Sequence, residues 1–216
     1  MNPNKTLLTT AFALIISALS AYSADIKISL LPLNITAPGT YVLTGNLTSS
    51  LTRTSTAGSS AGAINISTAI EGPVVVDLKG FTIMGPGSNS FGVTIGYISS
   101  GMSNAHPITI RNGTIRNFQY GVFASTLTPL SNITVNDVVF DIISTGAAVG
   151  QGVNFFNVES STISNCAFNE ATYGIQDYAS GGGNLYDNDT FLHNVFPLVV
   201  EGSILLKHCQ FEAPAN

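Results

Sequence analysis

The chain is short of charge, and shortest of cations. Of its 216 residues 9% are charged, with seven Lys+Arg against twelve Asp+Glu. Nucleic-acid binding needs basic residues gathered on one face to neutralise phosphates. A surface of anionic lipid needs a polybasic segment. Scattered cations in an acidic chain supply neither, so no nucleic-acid partner is expected. Beyond the N-terminal segment the chain also lacks any apolar run of the about 20 residues that a membrane-spanning helix requires, and no membrane insertion is expected. It lacks helical periodicity as well: no later stretch holds an apolar 3.6-residue period for three turns. Cysteine is scarce, with Cys166 and Cys209 the only two. In an exported chain that pair would by default form one disulfide.

What is there begins with an address. Lys5 and the α-amino group form a small positive region, residues 7–19 are apolar, and Ala21-Tyr22-Ser23 offers small residues at the positions a signal peptidase reads. Residues 1–23 are therefore expected to be a secretory signal peptide. Residues 24–216 then form a single domain that works secreted, in the periplasm or at the cell surface.

The domain is built for strands. Thr, Val, Ile, Phe and Tyr recur in short runs punctuated by Gly and Asn. Ile108-Thr109-Ile110-Arg111-Asn112-Gly113-Thr114-Ile115 sets the pattern: apolar and polar residues alternate, the chain bends at Asn112-Gly113, and an apolar residue follows. Anchoring each copy on that last residue gives Ile83, Ile115, Phe140, Phe168, Phe191 and Phe211, spaced by 32, 25, 28, 23 and 20 residues. Five residues before the anchors stand Leu78, Ile110, Val135, Ile163, Tyr186 and Leu206. Six residues after them further strands open at Gly121-Val122, Gly146-Ala147, Gly174-Ile175 and Pro197-Leu198, with Gly92-Val93 displaced by Pro86-Gly87. Strand, Asn-containing bend, strand, Gly and strand at matched offsets is a solenoid signature. It points to an all-β parallel β-helix of about seven to eight coils, in which equivalent strands stack. One coil buries about four aliphatic side chains at about 1.5–3 kcal/mol each. Ordering its about 25 residues costs about 1–2 kcal/mol apiece, so a coil is stable only in a stack.

The runs GTYVLTGNLT (39–48), VVVDLKGFTI (74–83), ITIRNGTIRNFQYGVF (108–123) and YGI (173–175) resemble the secreted right-handed parallel β-helix proteins of the pectin-lyase-like superfamily. The resemblance spans residues from about 31 to 211 and implies right-handed coiling. It leaves activity open, because the superfamily holds lyases, hydrolases and surface-attached proteins. Hydrolases of this kind bring two or three Asp together on neighbouring coils. Lyases use carboxylates for Ca²⁺ and a basic residue for proton abstraction. The chain has Asp137, Asp141, Glu170, Asp187 and Asp189, but no Gly-His-Gly, no Arg-x-Lys and no Asp-Asp pair. No cofactor or metal site is expected, with Ca²⁺ entering only in the lyase alternative.

Stacking turns equivalent positions into columns about 4.8 Å apart. Three residues before the anchors the column reads Gly80, Asn112, Asp137, Asn165, Asn188 and His208. Asn tolerates left-handed backbone and its amide can bond the next coil, so Asn112, Asp137, Asn165 and Asn188 are expected to form a structural, ladder-like column. One residue after the anchors the column reads Met84, Arg116, Asp141, Asn169, Leu192 and Glu212. Arg116 and Asp141 fall on adjacent coils, as a surface ion pair or, with Glu170, as the catalytic candidates of a groove that binds a sugar carboxylate. Five residues after the anchors stand Tyr120, Thr145, Tyr173 and Phe196, placed to stack on sugar rings or to cover a corner. Tyr120, Asn169, Tyr173 and Asp177 are the candidate ligand-binding residues, with Gln176, Tyr178 and Glu201 on the same flank.

The cysteines stand two residues before their anchors, with Asp189 at that position in the coil between. That separates them by about 9–10 Å at the strand spacing. A disulfide needs Cα atoms within about 7 Å, so both thiols are expected to be free. The expected function is a non-catalytic exported protein, structural or binding polysaccharides or cell-surface glycans through exposed strand faces. The alternative is a polysaccharide lyase or glycoside hydrolase. Few residues follow Phe211 to cover the last coil, which leaves its edge open to self-association.

Overall fold

A computed structural model describes residues 24–52, 62–96, 103–142, 149–178 and 181–213. The expected signal peptide lies outside these residues. The described chain holds eighteen strands and no helix, and every strand pairing is parallel. The strands join in one long parallel sheet system that is not a closed barrel. Parallel pairing follows from the repeat, because a strand that pairs with its equivalent one repeat later runs in the same direction.

The pairings resolve into three ladders. Ladder A runs through Ile26–Ile28, Gly39–Leu43, Val74–Asp77, 108–111, 133–136, Thr162–Ser164, Asn184–Asp187 and Ile204–Lys207. Ladder B runs through Leu47–Thr48, 82–84, 114–116, 139–141, Ala167–Asn169, Thr190–Leu192 and Gln210–Phe211. Ladder C runs through Leu33–Ile35, Ile64–Ile66, 91–95, 120–125, 151–156, Tyr173–Tyr178 and Phe196–Glu201.

The six anchors occupy one column of ladder B, joined at the top by Leu47. Its aromatic members stack face to face at 4.9 Å from Phe140 to Phe168, Phe168 to Phe191 and Phe191 to Phe211, with interplanar angles of 3°, 9° and 4°. Ladder C accommodates those rings with glycine. A β-carbon on Gly121, Gly152 or Gly174 would lie 2.6, 2.5 and 2.6 Å from the nearest ring carbon of Phe140, Phe168 and Phe191 respectively. The same atom would also lie 2.5–2.6 Å from the carbonyl oxygen of the residue stacked next in that column. The glycine is required for space, because packed interiors leave no slack for an added methyl.

Two register expectations are corrected. The expected Gly146-Ala147, and Thr145 beside it, lie outside the described residues, and Gly152-Val153 takes their place between Gly121-Val122 and Gly174-Ile175. The connection after Phe140 is thus six residues longer than equal spacing assumed. Likewise Val76, not Leu78, partners Ile110, because the bend between Val76 and Ile83 spans two more residues than those from Ile110 onward. Leu78 is still fully buried and closes that wider bend from inside.

The bends are left-handed backbone. Asn112, Asp137, Asn165, Asn188 and His208 have φ of 59°, 55°, 54°, 58° and 51°, and Gly80 has φ of 80°. Asn and Asp enter this region more readily than other side chains. The chain ends differently from its middle. Leu206 and Phe211 are 43% and 47% exposed, whereas Tyr186 and Phe191, their partners one layer back, are buried.

Candidate functional site

Successive strand residues point to opposite sides, so each ladder has an inner side packed in the core and an outer side. The outer side of ladder C differs from the other two. Its register columns read Phe91, Tyr120, Gln151, Tyr173, Phe196, then Thr94, Phe123, Asn154, Gln176, Val199, then Ser125, Phe156, Tyr178, Glu201. Seven aromatic side chains stand there, while the outer columns of ladders A and B carry none. Glu201, in the last layer, is the one charged residue among these positions.

The aromatic residues form two groups. Phe91 and Tyr120 stack at 4.8 Å, and Phe123 meets them at 5.1 and 5.4 Å. Tyr173 and Phe196 stack at 5.1 Å. Between the groups lies an amide strip. The Asn154 side-chain amide donates to Gln151 Oε1 at 2.6 Å and to Gln176 Oε1 at 2.9 Å, and the Gln176 amide donates to the Tyr178 hydroxyl. These bonds fix the amide planes, which sit buried between the rings. Phe156 and Phe196 are 52% and 48% exposed, and Tyr120, Tyr173 and Tyr178 are half-buried. The result is a pre-ordered, nearly uncharged surface of rings, hydroxyls and amides.

The expected ladder B cluster is there in part. Arg116, Asp141 and Asn169 follow one another in one outer column, and Arg116 Nε lies 3.1 Å from Asp141 Oδ2. With half of the Arg116 side chain exposed, the pair contributes about 0–1 kcal/mol. Asn169 Oδ1 is buried without a hydrogen-bond partner. Glu170 stands at the corner after this strand with φ of 55°, its N–H donating to Leu192 O at 3.0 Å. Tyr120 and Tyr173 stand in ladder C, apart from this column.

Asp177 is on neither surface. It takes a place in an inner column that otherwise reads Ile35, Ile66, Ile95, Ala124, Phe155 and Val200. There its Oδ2 accepts from Asn184 at 2.9 Å and from the Tyr186 hydroxyl. Burial and the neighbouring Asp177 push the Tyr186 phenol well above its ordinary range. Gly174 and Ile175 both face the core, and alternation from Ile175 to Tyr178 puts Asp177 inside with Ile175, so it is removed from the ligand-facing set.

The expected bend column is only partly a ladder. Asn188 donates to Asn165 Oδ1 at 2.8 Å, but the Asn112 amide turns to Asp77 Oδ1 at 3.2 Å, and Asp137 accepts from its neighbour Asn136 at 2.7 Å. Asp77 also accepts from Lys79 N at 2.9 Å and pairs with Arg111 Nε at 3.0 Å. Burial alone would raise the Asp77 pKa, but the Lys79 N–H, the Asn112 amide and the two cations together hold it below the usual range. Sequence reasoning missed the buried asparagines that stitch layers from inside. Asn184 accepts from Ser161 N at 2.9 Å and donates to Val158 O at 2.9 Å, and Asn194 accepts from Ala171 N at 3.0 Å and donates to Phe168 O at 2.8 Å. Their signal was the isolated Asn at the start of a ladder A or ladder C segment.

Cys166 and Cys209 are both free, with Asp189 in the layer between. Asp189 is fully buried, and its Oδ1 accepts from Cys166 N at 2.8 Å while its Oδ2 has no partner. Burial, with a smaller push from Asp187, raises the Asp189 carboxyl to about 7 against the opposing Cys166 N–H. Burial and the Asp189 charge raise the Cys166 thiol, so it is not a nucleophile.

Among the described residues no three of His, Cys, Asp and Glu stand close enough together to hold a metal ion, and no helix is long and apolar enough to cross a membrane. Compared with family models, with curated proteins and with solved structures, the chain matches none.

Proposed function

We propose that this chain is an exported right-handed parallel β-helix protein of the pectin-lyase-like kind, without catalytic activity, that binds glycans through an exposed strand face. The support for the coiling is the three-ladder register, in which each strand finds its equivalent one repeat later. The support for export is the leader-like composition of residues 1–23. The observation that carries the binding reading is the outer side of ladder C, where aromatic rings flank amides held in place by one another. Rings stack on the apolar faces of sugars, and fixed amides and hydroxyls meet sugar hydroxyls without first having to be ordered.

A lyase or hydrolase at Arg116, Asp141 and Glu170 is the second reading. It draws on the contiguous polar column of ladder B and on the unpaired Asn169 oxygen. There, however, the Arg116 charge is already answered by Asp141. The test is purified mature protein on a panel of polyuronides and neutral polysaccharides, with binding and cleavage read together, with and without Ca²⁺. Binding without cleavage is expected. Cleavage lost in Arg116→Ala and Asp141→Ala would replace the leading reading with the second.

A further inference from the structure

The glycan-binding reading does not say which glycan, and the distribution of charge does. Polyuronides carry a carboxylate on each sugar, and a face that holds them must offer cations, or carboxylates that hold Ca²⁺. The outer side of ladder C offers neither. Of the cations in the described residues, Lys79 and Arg111 are tied to Asp77, Arg116 is tied to Asp141, and Lys27 and Lys207 belong to ladder A. Its one carboxylate, Glu201, would repel a uronate.

What the face does offer suits a neutral chain. Phe156 and Phe196 present exposed rings, Tyr173 stacks on Phe196, and Tyr178 stands between them in register with Phe156 and carries a hydroxyl that accepts from the Gln176 amide. Parallel strands repeat these groups about every 4.8 Å along the stack. A neutral sugar buries its C–H faces on rings, leaves its hydroxyls for amides and phenols, and asks for no counter-charge. Resting on the binding reading above, we infer that the outer side of ladder C is a site for an uncharged polysaccharide, bound by stacking and hydroxyl contacts and selective against uronate chains.

Affinity electrophoresis tests this with the mature protein in gels carrying either a neutral polysaccharide (cellulosic glucan, xylan or galactomannan) or a polyuronide (polygalacturonate or alginate), at low and high salt. Retardation is expected on at least one neutral gel, unchanged by salt, with none on the uronate gels. Phe156→Ala and Phe196→Ala each weaken it about tenfold, as loss of an anchoring ring does. Both rings are half exposed, so the variants keep the wild-type circular dichroism. Arg116→Ala leaves retardation as it was. Salt-sensitive retardation on uronate gels that is lost in Arg116→Ala would overturn the inference and keep the glycan-binding reading. Failure to bind either class would overturn both.

Discussion

Ladders B and C rise through the same layers and share one core, yet their outer sides differ in kind. Ladder B shows threonines, aliphatic residues such as Met84 and Leu192, two amides and one ion pair, while ladder C shows seven aromatic residues and an amide strip. On the inside the two depend on each other, the Phe column of ladder B filling the space that the Gly column of ladder C leaves open. The core constrains one side of each strand and leaves the other to be spent on function. Six of the seven rings are partly or largely exposed, Phe91 being buried, and seven on one ladder with none on its neighbours is an arrangement that the fold does not require.

The largest test breaks the inner link. Gly152→Ala puts a methyl 2.5 Å from Phe168 Cδ1 and 2.6 Å from Gly174 O. It should lower stability by about 3 kcal/mol, the upper end for overpacking, in a denaturant titration. Gly45→Ala, where nothing lies within 4 Å, should change it by less than about 0.5 kcal/mol. Equal effects at the two glycines would remove the Phe–Gly lock.

A second test uses the polar exception inside the bend that joins Asn184–Asp187 to Thr190–Leu192. Asp189, raised to about 7, keeps its proton in the folded chain where the unfolded chain has lost it above about pH 4. Its contribution to stability is therefore fully present in acid and falls as pH rises from about 4 to about 7. Asp189→Asn should flatten that slope and gain on the wild type by about 1–3 kcal/mol at pH 8 relative to pH 4, read from paired melts. An unchanged slope would mean that the carboxyl finds solvent.

The smallest test is on ladder B's outer side. Arg116→Ala should cost about 0–1 kcal/mol and leave glycan binding alone. A larger loss would give the Arg116–Asp141–Asn169 column a part that the exposed geometry does not account for.

Much of the inner architecture was legible in the chain. The anchors Ile83 to Phe211 marked ladder B because the core accepts only apolar residues at a fixed offset from each bend, and the bend residues announced left-handed backbone as Asn and Asp. Equal spacing points to Gly146 where the fold uses Gly152, because connections vary in length without disturbing the stack. The outer side was only half legible. Tyr120 and Tyr173 are legible from their offset, but Asn154 and Phe156 are not, because they follow the connection after Phe140, which departs from equal spacing. Polarity alone suggests exposure for Asp177, but counted from Ile175 the period of two puts it inside with Tyr186 and Asn184.

The central claim is that the outer side of ladder C holds an uncharged glycan. Backbone amide chemical shifts of the isotope-labelled mature protein, titrated with a neutral oligosaccharide that it retains, test it most directly. The account predicts changes confined to 120–125, 151–156, 173–178 and 196–201, with residues 114–116, 139–141 and 167–169 unmoved. Changes centred on Arg116, Asp141 and Asn169 would contradict it.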